Sequence, residues 1–229
     1  MTGIDYRVYV VTSGTGRRVV ETAAAAAGAG AGVVQVRAKD ASTRELLSLT
    51  EAVADAVRAA NPATRVLVDD RADVAFAARQ AGSPVHGVHL GPEDLPVRAA
   101  RALLGPDAVI GLTTGTLALV RQAVDVADVV DYLGAGPYRP TPTKETGRPP
   151  LGLDGYGPLV ATTSLPIVAI GDVRVDDVAG LAHTGVAGVA MVREVACADD
   201  PAHVVAQALA AWRESAPRRV GGPSGHCRT

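Results

Sequence analysis

Arg65-Val-Leu-Val-Asp-Asp-Arg-Ala-Asp-Val-Ala-Phe-Ala-Ala-Arg-Gln-Ala-Gly-Ser-Pro-Val-His-Gly-Val-His-Leu90 contains one whole repeating unit of the chain. The Val-rich run at Arg65–Val68 predicts a strand, and Asp69-Asp70-Arg71 ends it. Ala72 to Gln80 continues with a helical pattern, Gly82-Ser-Pro84 breaks it, and Gly87-Val-His-Leu90 begins the next strand. Strand, helix, break and strand in so few residues is the signature of a parallel βαβ unit.

The same unit recurs in both directions. Upstream, Tyr6–Val11 and Val33–Arg37 read as strands around an Ala-rich helix that ends near Gly28-Ala-Gly-Ala-Gly32. Ser42-Thr-Arg-Glu45 is a capping-box pattern, with Leu46, Leu49, Val53 and Val57 after it at helical spacing. Downstream, helices are expected at Leu95–Leu104, Leu117–Val126, about Leu153–Thr163 and Val175–His183. Strands are expected at Val109–Leu112, Val129–Leu133, Pro166–Ile170 and Gly188–Val192. A last helix opens with Asp200 as N-cap and Pro201 at its first position, and runs through Trp212. Eight even strand–helix units predict a single α/β domain, a (β/α)8 TIM barrel over residues 1–214, with a doubly wound open sheet as the alternative. Residues 215–229, rich in Pro, Gly, Arg and Ser, read as a short disordered tail.

Composition narrows the classes of function. Hydrophobic residues make up 48% of the 229-residue chain but aromatics only 3%, so the core is built of Ala, Val and Leu. A formal net charge of −2 argues against a nucleic-acid surface but leaves room for a local cationic cluster around a small anion. Cys197 and Cys227 show neither metal-ligand spacing nor a disulfide framework. No secretory leader and no membrane span are expected, which points to the cytoplasm.

In a barrel, the residue after each strand lies on one rim, where active sites form. Gln35, Arg37 and Lys39 alternate at the end of strand two and suit a polyphosphate, or form a solvated strand end. Asp70 and Asp94 are carboxylates that could serve magnesium, or cap the helices near Ala72 and Leu95. Thr113 and Thr114 could bond a heterocycle or cap a helix, and His89 reads as a hydrogen-bonded buried histidine. The stretch Gly134 to Lys144 carries Thr141, Thr143 and Lys144 on a proline-stiffened arm, unless it is a plain linker. Gly171, Met191, Val192 and Arg193 lie at the ends of strands seven and eight, the usual phosphate corner of this fold.

Taken in order, Gln35–Lys39, Val68–Arg71, Gly87–Asp94, Ile110–Thr114, Gly134–Lys144, Ile167–Gly171 and Gly188–Val192 resemble the motifs of the thiamine phosphate synthase family. The collinear match runs from about Tyr6 to Trp212. The resemblance implies a transferase of thiamine biosynthesis. It would join 4-amino-2-methyl-5-hydroxymethylpyrimidine diphosphate to 4-methyl-5-hydroxyethylthiazole phosphate, giving thiamine phosphate and pyrophosphate with Mg²⁺. Carried over by position, Arg37, Lys39 and Lys144 would act on the diphosphate as catalytic residues, with Gln35 beside them. Asp70 and Asp94 would bind the metal, and Thr113 would touch the pyrimidine. Thr141, Thr143, Gly171, Asp172, Val192 and Arg193 would meet the thiazole phosphate, and Asp69 would sit in the substrate site. The exposed helices of a small barrel suit pairing into a homodimer.

Four positions depart from the family pattern. Asp69 stands for a usual Asn, Pro92 for Gln, Gly115 for His, and Asp172 for the second glycine of a pair. Arg193 stands where many relatives have Ser, and is expected to pair with Asp172 or to reach the phosphate; the two could also be mere surface neighbours. The departures at Asp69, Pro92 and Asp172 support one alternative, a non-catalytic paralogue that binds thiamine-type ligands. A thiazole tautomerase-like isomerase is the other.

Overall fold

The structure is a computed structural model that describes residues 3–140 and 149–215. Its strands are β1 Val8–Val11, β2 Val33–Val36, β3 Arg65–Asp69, β4 Gly87–Leu90, β5 Val109–Thr114, β6 Tyr132–Ala135, β7 Ile167–Ile170 and β8 Gly188–Met191. Its helices are α1 Arg17–Gly28, α2 Thr43–Ala60, α3 Ala72–Gln80, α4 Val97–Leu104, α5 Leu117–Val124, α6 Tyr156–Val160, α7 Val175–His183, α8 Arg193–Ala196 and α9 Pro201–Ser215. All neighbouring strands pair in parallel, and β8 returns to β1 with Tyr9 opposite Ala190, so the sheet closes into the expected barrel.

Strand parity divides the residues between two cores. Val8, Val10, Val34, Val36, Val66 and Val68 point outward and are buried under the helices. Tyr9, Val11, Val33, Leu67, Tyr132 and Val168 point inward and fill the barrel. The outer layer is mostly Ala and Val, which lets helices lie close to the sheet, as the low aromatic content required. Three tyrosines from one end of the chain and the middle, Tyr6, Tyr9 and Tyr132, supply the bulk inside. Gly111 makes room for them: a Cβ there would run into the Tyr132 ring and His89.

Local signals behaved as expected at several ends. Ser42 and Glu45 form the capping box, and Asp200 caps α9 by accepting from the His203 N–H at 3.0 Å. Other boundaries moved. β6 starts at Tyr132 rather than Val129, because the Val129 carbonyl is taken by Arg101 Nη2 at 3.0 Å. α6 is short because Gly152, Gly155, Gly157 and Pro158 weaken the helix around it. α9 continues through Ser215, into the stretch that composition marks as tail, and Ser215 Oγ donates to the Trp212 carbonyl at 2.8 Å. α8, one turn after β8, carries no pattern long enough to announce itself. The tail beyond Ser215, with Cys227, lies outside the described residues.

His86, just before β4, couples the fold to pH. Its Nδ1 accepts from the Val66 N–H at 3.0 Å, which requires the unprotonated nitrogen. Burial, then the charges of Arg65 and Arg79, push its pKa from 6.5 down to about 4. The unfolded chain therefore binds the extra proton first as pH falls, so this stability is complete above 6.5 and lost toward 4. Urea unfolding at about pH 7.5 and about pH 4.5 should show wild type losing roughly 2 kcal/mol more than His86→Gln, after discounting for the ring's partial exposure.

Candidate active site

A cavity of about 420 Å³ opens at the carboxyl end of the strands. Gln35, Arg37, Lys39, Asp69, Asp70, Thr113, Gly171, Asp172, Val192 and Arg193, all singled out from sequence, line it. Thr141, Thr143 and Lys144 lie outside the described residues.

One side of the cavity is a charge cluster. Asp69 ends β3 with its side chain only 12% exposed. Its Oδ1 accepts from Gln35 Nε2 at 2.6 Å, and its Oδ2 faces Arg37 Nε at 3.3 Å and Lys39 Nζ at 3.5 Å. Lys39 also pairs with Asp70. Asp70 adopts a positive φ of 60°, a costly conformation for a residue with a side chain, and Arg71 rather than Asp70 precedes α3. Asp70 is therefore not the helix cap that was its alternative role. Among the described residues Arg37 and Lys39 are paired with Asp69 and Asp70, so an incoming polyanion has to compete with these carboxylates for the two cations.

The opposite side is the corner where β7 and β8 end. Gly171 has a φ of 115°, and a Cβ there would strike the backbone of Pro137 and Tyr138. Asp172 comes next with φ 55°, and its charge is covered: Oδ1 meets Arg193 Nη2 at 2.5 Å and Oδ2 faces Arg174 Nη2 at 3.6 Å. Arg139 donates to the Asp172 carbonyl at 3.0 Å and pairs with Asp177 at 2.5 Å. Asp172 and Asp177 thus face Arg139, Arg174 and Arg193 here, with Glu194 beside them accepting from the Val175 N–H at 3.0 Å. The Arg193–Asp172 pairing expected from sequence is present. Arg139 and Arg174 were not anticipated, because only the fold brings them to this corner.

Between the two corners the floor is uncharged and hydrogen-bonded. Tyr9 OH donates to Gln35 Oε1 at 3.2 Å and lies 2.8 Å from Tyr132 OH. His89 Nδ1 lies 2.8 Å from Tyr132 OH, and His89 Nε2 lies 2.9 Å from Thr113 Oγ1. Burial raises the pKa of both Tyr9 and Tyr132 far above the ordinary phenol value, so both stay protonated. His89 is bonded as expected but half-buried and in the cavity wall, not sealed in the core. Inward parity of Tyr9, Gln35, His89 and Tyr132 is the signal that would have found this floor. Thr113 belongs to β5 itself and faces the cavity, while Thr114 is buried and donates to the Gly134 carbonyl at 3.3 Å. Neither caps α5, which Thr116 does.

The acidic residues suit a hard cation. Asp70 and Glu93 line the cavity and carry carboxylates, the donor type that magnesium takes alongside substrate phosphates, whereas Asp94 is not among the lining residues. Asp94 accepts from the Gly91 N–H at 2.6 Å, leaving one oxygen for other use, and neither it nor Leu95 starts α4, whose N-cap is Pro96. Among the described residues no three His, Cys, Asp or Glu side chains gather into a metal cage by themselves. That is compatible with an ion whose shell a bound substrate completes.

A (β/α)8 barrel with a cluster of paired charges on one side of its mouth, an arginine-rich corner on the other and a polar floor between suits an enzyme that handles phosphorylated small molecules. The sequence model of thiamine monophosphate synthase matches residues 8–195. The chain belongs to that family. It is 57% identical over 198 residues to the thiamine-phosphate synthase of Corynebacterium jeikeium, covering 86% of this chain and 90% of the relative. Identity to the thiamine-phosphate synthase of Corynebacterium efficiens is 54%, with the same coverage. Among solved structures, the thiamine phosphate pyrophosphorylase of Pyrococcus furiosus superposes with a TM-score of 0.79 at 31% identity, over 93% of this chain and 98% of that one.

Arg193 is 45% exposed on its side chain, so its pairing with Asp172 should add little to folding. A double-mutant cycle with Arg193→Ala and Asp172→Ala, read by urea unfolding, should give a coupling of about 1 kcal/mol or less.

Proposed function

We propose that this chain couples 4-amino-2-methyl-5-hydroxymethylpyrimidine diphosphate to 4-methyl-5-hydroxyethylthiazole phosphate, releasing thiamine phosphate and pyrophosphate. The observation that carries this reading is the pairing of two anion corners across one uncharged floor, on a chain of this family. Arg37 and Lys39, with Gln35 beside them, receive the diphosphate, and Lys144 closes on it. Gly171, Asp172, Val192 and Arg193, with Thr141 and Thr143, receive the thiazole phosphate. Asp70 and Asp94 would hold Mg²⁺, which when bound supplies charge neutralisation for the departing diphosphate.

The bond between the pyrimidine methylene carbon and the diphosphate oxygen breaks, and its electron pair leaves with the diphosphate. The aminopyrimidine ring delocalises the cation that remains. The thiazole nitrogen then donates its lone pair to the methylene carbon, forming the new C–N bond. The protein supplies no nucleophile; it holds both reactants in reach and places cations where negative charge develops. The enzyme works in the cytoplasm and pairs as a homodimer.

The two alternatives lose their footing on particular residues. The isomerase reading needs a rim histidine at the place of Gly115, which has φ 142° and no side chain. The binding-paralogue reading drew on Asp69, Pro92 and Asp172; the two carboxylates are each matched by cations within the site, which leaves it Pro92, a residue of the cavity wall.

Purified protein given both substrates and Mg²⁺ should form thiamine phosphate, and EDTA should stop it; no product from folded protein would sink the reading. Lys39→Ala should lower kcat/KM for the pyrimidine diphosphate by about a hundredfold. Arg193→Ala should raise KM for the thiazole phosphate by about tenfold with kcat little changed, the mark of lost uniform binding.

A further inference from the structure

Among the described residues a file of hydrogen bonds runs along the floor of the cavity: Asp69, Gln35, Tyr9, Tyr132, His89, Thr113. Each intermediate member has only a limited set of protons, so fixing one end fixes the rest. Asp69 is a carboxylate held by Arg37 and Lys39, and it can only accept. Gln35 must therefore turn its NH₂ toward Asp69 and its carbonyl oxygen toward Tyr9. Tyr9 donates its one proton to that oxygen, which leaves Tyr132 as the donor across the 2.8 Å contact between the two hydroxyls. Tyr132 has then used its proton and accepts from His89 Nδ1–H at 2.8 Å. A neutral ring protonated at Nδ1 accepts at Nε2, so Thr113 Oγ1 donates to it at 2.9 Å. The Thr113 hydroxyl is left with lone pairs toward the cavity and no proton to offer.

We propose that Asp69, through this file of positioning residues, makes Thr113 a hydrogen-bond acceptor that selects the exocyclic amine of the pyrimidine. The inference rests on the pyrimidine diphosphate being the substrate. An amine donates to Thr113; a ring with an oxo group in its place presents lone pairs to lone pairs and is rejected. Accepting the amine N–H also increases electron donation from that nitrogen into the ring. The methylene that becomes cationic is attached to the adjacent ring carbon, so the contact stabilises it as the C–O bond breaks. An Asn at position 69, which the family pattern favours, can donate as well as accept and would let Gln35 face either way. The carboxylate in this chain allows one direction only. Its apparent disadvantage beside a diphosphate site thus has a counterpart in substrate discrimination.

The test reads proton positions and selectivity separately. ¹⁵N spectra of histidine-labelled full-length protein, with His89 assigned by its loss in His89→Gln, should show a protonated Nδ1 and an unprotonated Nε2 at neutral pH. Tyr132→Phe removes the acceptor for Nδ1–H and should move the proton to Nε2. A wild-type ring protonated at Nε2, or at both nitrogens, overturns the inference. In kinetics, kcat/KM for the 4-amino over the 4-oxo pyrimidine diphosphate should fall about tenfold in Thr113→Val, which keeps the shape but removes the acceptor. Asp69→Asn should relax the same ratio several-fold; an unchanged ratio in either variant also overturns it. If wild-type protein forms no thiamine phosphate, the coupling reading fails instead, and the ring tautomer, measured without substrate, still judges the file.

Discussion

Closure of the sheet is the constraint on which everything else depends. Pairing β8 with β1 leaves no strand edge to protect, and it forces every strand to put one parity inside and the other under a helix. Outward positions then have to be small and apolar, and the Ala–Val layer meets that demand. Inward positions near the carboxyl ends have no helix to cover them, so they can be polar without disturbing the core. Gln35, Asp69, His89 and Thr113 occupy such positions on their strands. The active site is thus the unfinished end of the barrel's own interior.

The electrostatics of that end are arranged as two separate solutions to one problem. Each anion corner keeps its cations in place by pairing them with carboxylates, Asp69 and Asp70 on one side and Asp172 on the other. Pairing sets a cost on anion binding, since an incoming anion would have to replace an existing partner. It also fixes the geometry of long side chains that would otherwise lose rotamer freedom on binding. The corners differ in make-up: among the described residues Asp69 and Asp70 face Arg37 and Lys39 in the first, and Asp172 faces Arg193 and Arg174 in the second.

Much of this was legible in the sequence, and the limits are specific. The Arg65–Leu90 unit and its repeats announced the barrel because short apolar runs, helical spacing and Gly–Pro breaks agree with one another. Rim residues such as Arg37, Asp70 and Gly171 are visible in the chain itself, because each stands immediately after the last residue of a strand. Boundaries slipped where tertiary bonds compete with local pattern, as at Val129, whose carbonyl serves Arg101. The one-turn helix α8 is too short to carry a period. The polar floor went unseen as a unit because Tyr9, His89 and Tyr132 each look like ordinary core residues along their own strands.

By itself the sequence determined the fold class, the order of the elements, the rim on which chemistry occurs and most residues facing the site. It could do so because strand parity and strand-end position are properties of local chain. The tertiary structure alone decided which charges meet and which way protons point. Arg193 and Asp172 are 21 residues apart, and Tyr9 and Tyr132 are 123 apart, yet each pair is in hydrogen-bond contact. Whether a carboxylate repels a substrate or positions its cations depends on such contacts, and only closing the barrel brings those residues together.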